Sequence, residues 1–147
     1  MSFAQPSLKG RALRLLSGRE HSRSELERKL ERFETEPGAL ARVLDELQAK
    51  GFISEQRVIE SVLHRRADKL GTARIKQELL GKGLDPEAVA EALAGLQANE
   101  RERALEVWRK KFGEPPVDAQ AAARQMRFLA SRGFGADAIR RVVKAPA

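Results

Sequence analysis

Arg74-Ile75-Lys76-Gln77-Glu78-Leu79-Leu80-Gly81-Lys82-Gly83-Leu84, running on into Asp85-Pro86-Glu87-Ala88-Val89 and Leu93, is the stretch that decides the fold. Ile75, Leu79 and Leu80 share one face at helical spacing. Lys82-Gly83-Leu84 reads as a helix stop, in which glycine takes the left-handed position and the next apolar residue packs back. Asp85-Pro86 then opens another helix, a capping carboxylate followed by proline at the first helical position. The pattern recurs 50 residues on. Arg124 and Leu129 match Arg74 and Leu79, Gly133-Phe134 matches Gly83-Leu84, and Ile139 and Val143 match Val89 and Leu93. Shifted back by 49, Leu26, Leu30, Leu40 and Leu44 match Ile75, Leu79, Val89 and Leu93, with Glu34 at the glycine's place.

Working outward, the remainder reads as helix. Ala, Leu, Arg, Glu and Lys dominate, all good helix formers, and no stretch alternates with period two. Leu8, Ala12, Leu15 and Leu16 stripe a first helix. Ser22-Arg23-Ser24-Glu25 is a capping box opening a second. Pro37 lies near the start of a third, lined by Leu40, Val43, Leu44 and Leu47 and ended by Gly51. Ser54 caps a fourth, which runs to about Leu70. Leu105, Trp108 and Phe112 stripe the seventh, stopped by Gly113-Glu114-Pro115-Pro116. The expectation is an all-α, elongated tandem array of three three-helix repeats, about nine short helices, with bounds 1–50, 51–97 and 98–147. Helices this short are marginal alone and must pack on one another.

The chain has 147 residues, no cysteine, and 28 Lys+Arg against 21 Asp+Glu. The absence of cysteine excludes disulfides, thiolate metal sites and cysteine nucleophiles. No apolar run reaches the roughly 18 residues of a membrane span, and Met1 to Pro6 carries no secretory pattern. A cytoplasmic protein is expected. Residues 1–48 hold nine basic and eight acidic side chains, and residues 49–96 hold eight and seven. Residues 97–147 hold eleven and six, so the positive excess sits in the last third. A localised patch of this kind is the footprint of a polyanion or acidic partner.

His21 and His64 are the only histidines, 43 positions apart, so no metal or other cofactor is expected. The chain has no nucleophile elbow, phosphate loop or carboxylate constellation, and an enzyme is not expected. Glu25, Glu27, Glu31, Glu34 and Glu36 alternate with Arg28, Lys29 and Arg32, which reads as a solvated, ion-paired face. Trp108 reads as core, because its neighbours share its stripe.

The candidate binding residues are basic. Arg65, Arg66, Lys69, Arg74 and Lys76 flank Gly71, and Lys82 precedes the helix stop. Arg109, Lys110 and Lys111 close the seventh helix, where they also complement its dipole. Arg124, Arg127 and Arg132 run along the eighth helix, and Arg140, Arg141 and Lys144 extend the patch. Asp137 is the only acid between Gln120 and Ala147. This count expects reversal of Arg124, Arg127 and Arg132 to matter more than reversal of Arg28, Lys29 and Arg32.

Several motifs resemble the RecX family, regulators of the RecA recombinase. They are Ser22 to Leu26 with Lys29-Leu30, Gly51 to Arg57, Gly71 to Leu84, and Leu129 to Phe134. The chain departs from the family pattern at Ser54-Glu55, where an acidic pair is usual, and at Val58-Ile59, where Phe-Ala is usual. The resemblance implies three tandem three-helix repeats. It also implies binding to RecA filaments on single-stranded DNA, inhibition of RecA's ATPase, strand exchange and co-protease activities, and direct contact with single-stranded or double-stranded DNA; a monomer is expected. A second reading is a helical transcription regulator that reads duplex DNA. Against it, no helix groups Asn, Gln and Arg at base-edge spacing.

Overall fold

The computed structural model describes residues 5–144. Within them lie nine α-helices, one 3-10 turn and no strand. The first unit holds α1 (Leu8–Gly18), α2 (Arg23–Leu30), the turn Glu31–Phe33 and α3 (Ala39–Ala49). The second holds α4 (Glu55–Arg66), α5 (Thr72–Gly81) and α6 (Pro86–Ala98). The third holds α7 (Glu100–Lys111), α8 (Ala119–Ser131) and α9 (Ala136–Val142).

The repeat positions are the core positions. Leu26, Ile75, Leu79 and Leu129 are fully buried, and Leu30, Val89, Ile139 and Val143 nearly so. Each unit closes its own apolar cluster: around Leu26 and Leu44 in the first, Ile75 and Leu79 in the second, Leu129 and Phe134 in the third. Burying one such leucine contributes about 2 kcal/mol, and helices this short are held by that burial rather than by their own propensity.

Local chemistry sets the ends. Ser22 takes the Glu25 N–H while the Glu25 carboxylate takes the Ser22 N–H, completing the capping box. Ser54 and Asp85 cap α4 and α6, with Pro86 at the first position of α6. Two boundaries differ from the expectation. Pro37 lies outside α3, whose N-cap is Gly38 at φ +84°. The Glu34 carboxylate takes the Leu40 N–H at 2.8 Å, supplying the cap that Gly38 lacks. The fourth helix ends at Arg66 rather than near Leu70, because Leu70 turns back to bond the Arg66 carbonyl and leads into Gly71.

Adjacent units join through their second helices, which meet end to end. The start of α5 meets the end of α8, where the Gly71 N–H donates to Arg132 O at 2.7 Å and the Ala73 N–H to Gly133 O at 3.3 Å. The start of α2 meets the end of α5, where Ser22 Oγ donates to Lys82 O at 2.6 Å and Arg28 to Gly81 O at 3.1 Å. Helix starts have spare donors and helix ends spare acceptors, so each junction satisfies both and opposes unlike dipole ends.

Candidate functional site

The junction of the second and third units opens a groove of about 880 Å³. Arg66, Lys69 and Arg74 line it from the second unit, and Lys110, Lys111 and Arg132 from the third. Phe128 and Leu70 form apolar floor, and Asp68 and Glu78 are the carboxylates present. Glu78 is engaged by Arg66 at 3.1 Å and by Arg65 at 4.0 Å. Lys69, Arg74, Lys110, Lys111 and Arg132 have no ion pair among the described residues. Lys111 and Arg132 stand over the Phe128 ring, 5.3 and 4.8 Å from its centroid. The ring restrains both cations without neutralising them.

The walls are fixed by buried polar groups. Arg103 on α7 donates to the Ala67 and Leu70 carbonyls at 2.9 and 2.7 Å, to Thr72 Oγ1 at 3.0 Å and to Leu96 O at 3.3 Å. It thereby binds the end of α4, the start of α5 and the end of α6 to the third unit. Burial lowers its pKa, with the Glu100 charge opposing. The buried Glu100 carboxylate takes the Thr72 N–H at 2.8 Å and the Gly135 N–H at 3.4 Å. Neither residue stands out in the sequence as more than one more charge on a charged helix.

The structure divides the sequence-derived candidates. Six of them meet in the groove, drawn from the middle and last thirds together. Arg74 reaches across to Ser131 O at 2.8 Å and so also serves the junction. Arg65 lies beside the groove through Glu78. Lys76 belongs to a separate, mainly apolar cleft with Leu80 and Val89. Arg124 and Arg127 are exposed on α8 outside the groove lining. Arg109 pairs with Glu106 at 3.7 Å. Arg140 and Arg141 both pair with Asp137, at 3.6 and 3.3 Å, so the acid sparse in sequence is central in space.

Lys82 is a correction. Its side chain is 14% exposed and donates to Glu25 at 3.2 Å inside the first junction, so it offers no free cation to a partner. The acidic stretch from the second helix onward is solvated at Glu27, Glu31 and Glu36, and Glu25 departs from that reading. Glu25 is buried between Arg19, at 2.6 Å, and Lys82. Burial disfavours its ionised form, but Arg19, the Ser22 N–H and Lys82 outweigh it and hold the carboxyl at about 2. Glu27 turns instead to Arg23. Trp108 packs against the third core and its indole N–H donates to Gln125 Oε1 at 2.8 Å. His21 is buried, bonded to Arg19 O and Lys29 Nζ. Among the described residues no group of His, Cys, Asp and Glu could hold a metal, and no helix is long and apolar enough to cross a membrane.

Comparison with known proteins gives consistent matches. Sequence profiles of the RecX first, second and third three-helix domains match residues 9–47, 54–93 and 99–143. Regulatory protein RecX of Leptothrix cholodnii is 55% identical over 140 residues, covering 95% of this chain and 89% of that protein. Regulatory protein RecX of Herminiimonas arsenicoxydans is 48% identical over 145 residues, covering 99% and 96%. The crystal structure of RecX from Lactobacillus salivarius shares the fold at TM-score 0.75 and 20% identity, covering 92% of this chain and 91% of that one.

Proposed function

The chain belongs to the RecX family, and on that premise we propose that it is a regulatory protein that docks on RecA filaments formed on single-stranded DNA and inhibits them. The observation that carries the reading is the groove across the second junction. Five unpaired cations line it, around an aromatic ring and between walls tied by Arg103 and Glu100. A rigid cationic groove attracts an anionic surface at long range and keeps it with little loss of side-chain freedom. The groove is shallow and open, which suits a surface of a large partner better than a small substrate. Inhibition follows if the protein, once seated, holds neighbouring recombinase subunits in one arrangement and blocks ATP hydrolysis, strand exchange and co-protease action together.

The test adds purified protein to RecA-coated single-stranded DNA. ATP hydrolysis is expected to fall at near-stoichiometric protein, with the protein co-sedimenting with filaments. Unchanged hydrolysis without co-sedimentation refutes the reading. The triple reversal Lys69→Glu, Lys110→Glu and Lys111→Glu is expected to weaken inhibition at least tenfold while leaving the helical circular dichroism intact.

A further inference from the structure

The first unit is nearly neutral by count, yet its charges are segregated in space. Most of its acids are occupied elsewhere. Glu20 pairs with Arg57, Asp45 with Arg23, and Glu46 with Lys9 and Lys50. Glu25, Glu27 and Glu34 are taken by the first junction, Arg23 and the α3 cap. The opposite side, between α1 and α2, is a cup of about 640 Å³ lined by Arg11, Arg14, Arg28, Lys29 and Arg32 with no carboxylate in its wall. None of the five forms an ion pair among the described residues, and Glu27 and Glu31, which adjoin Arg28 and Arg32 in sequence, lie outside the lining.

The cup is ordered before any partner arrives. The Arg11 and Arg32 guanidiniums stand over Phe33, 3.7 and 4.7 Å from its centroid. Arg28 is anchored on Gly81 O, and Lys29 donates to His21, which burial keeps neutral by lowering its pKa. Guanidiniums held against a ring present their N–H edges to an oxyanion, the geometry of bidentate phosphate recognition. Large exposed apolar side chains, the usual anchors of a protein partner, occur at Phe52, Leu80 and Val117, none of them at this cup. The cup's own apolar side chains, Leu15, Leu30 and Phe33, are half-buried or buried, and a surface lined by unpaired cations fits a backbone bound by counterion release.

We propose that this cup is a second binding site, which takes the phosphodiester backbone of a nucleic-acid strand. It is separate from the groove of the second junction and needs no recombinase, so it stands or falls apart from the filament reading.

The test is binding of a fluorescent 20-nucleotide oligothymidylate to the full chain, without RecA, across a salt series. The pair Arg14→Glu and Arg32→Glu avoids Arg11, Arg28 and Lys29, the three cup cations that hydrogen-bond other residues. It is expected to weaken binding at least tenfold and to flatten the log–log salt slope by about 1.4, some 0.7 per lost contact on a single strand. The charge-matched pair Arg42→Glu and Lys50→Glu, on α3 and at its C-cap in the same unit, is expected to cost under threefold. The neutral pair Arg14→Gln and Arg32→Gln is expected to give an intermediate loss, and serves if the reversal fails to fold. Equal losses from cup and α3 pairs, or an unchanged slope, overturn the site. Displacement of the oligonucleotide by polyglutamate of matched charge as effectively as by unlabelled strand also overturns it, in favour of an acidic protein surface.

Discussion

The two junctions solve one geometric problem with different chemistry. Each sets the start of one second helix against the end of the next. At the second junction the closest contact is backbone on backbone, with Arg74 adding a side-chain bond to Ser131 O. Gly71 and Ala73 donate directly to Arg132 and Gly133, and a Cβ on Gly71 would run into the Gly133 carbonyl. At the first junction the joint is side chain on backbone. Ser22 and Arg28 reach the α5 carbonyls, and Glu25 is clasped by Arg19 and Lys82. A Cβ on Gly83 would meet no backbone, only the Ser24 side chain, whose Oγ can rotate away and whose Cβ is relieved by trimming. A backbone joint is stiff and intolerant, whereas a side-chain joint can adapt and senses pH. The stiff joint is also the one that shapes the cationic groove.

The sharpest way to break this comparison is Gly71→Ala. No side-chain rotation relieves its clash, so a loss of about 3 kcal/mol or more in urea unfolding is expected. Loss of inhibition is expected with it, because the groove walls separate. Arg103→Met comes next, since it strands the Ala67, Leu70 and Leu96 carbonyls, and about 2–3 kcal/mol is expected from buried acceptors left unpaired. A loss under about 0.5 kcal/mol, the range of an ordinary surface change, would show that the second junction does not depend on this clamp.

The first junction makes a prediction about acid. The folded fold holds Glu25 at about 2, below its ordinary 4.5, so the carboxylate stabilises the protein fully above pH 4.5. That stabilisation drains away as pH falls from 4.5 toward 2. Glu46, held at about 2 by Lys50 and Lys9, titrates over the same window, so the informative quantity is a difference. Glu25→Gln is expected to flatten the acid limb of the stability curve relative to the parent. His21 acts in the same direction, because burial lowers its pKa from 6.5 and protonation below that pH is disfavoured in the folded state. Parallel acid limbs for parent and variant would remove Glu25 from the account.

Gly83→Ala should have the smallest effect, about 1 kcal/mol from the left-handed φ of +73°. Adding Ser24→Gly is expected to recover the steric part of that loss. No trimming of a side chain is expected to rescue Gly71→Ala, and a rescue there would erase the distinction between the joints.

Much of the fold was legible because apolar spacing and glycine stops are local signals. Leu26, Ile75, Leu79 and Leu129 had to face inward wherever their helices went. The sites were less legible because charge was counted along the chain and acts across it. Arg66, Lys69 and Arg74 sit in a nearly neutral third, yet they complete the groove with Lys110 and Lys111. Lys82 looks free beside two glycines and is spent on Glu25. Arg28, Lys29 and Arg32 alternate with glutamates in sequence and part from them in space, because Glu25 is drawn to Arg19 and Lys82 and Glu27 to Arg23.

By itself the sequence determined the all-helical class, the threefold repeat and the core positions, since periodicity and capping act within one turn of chain. Only the tertiary structure decided which cations stay unpaired. Ion pairing depends on which helix ends meet, and that was settled where Gly71 touches Gly133 and where Ser22 touches Lys82.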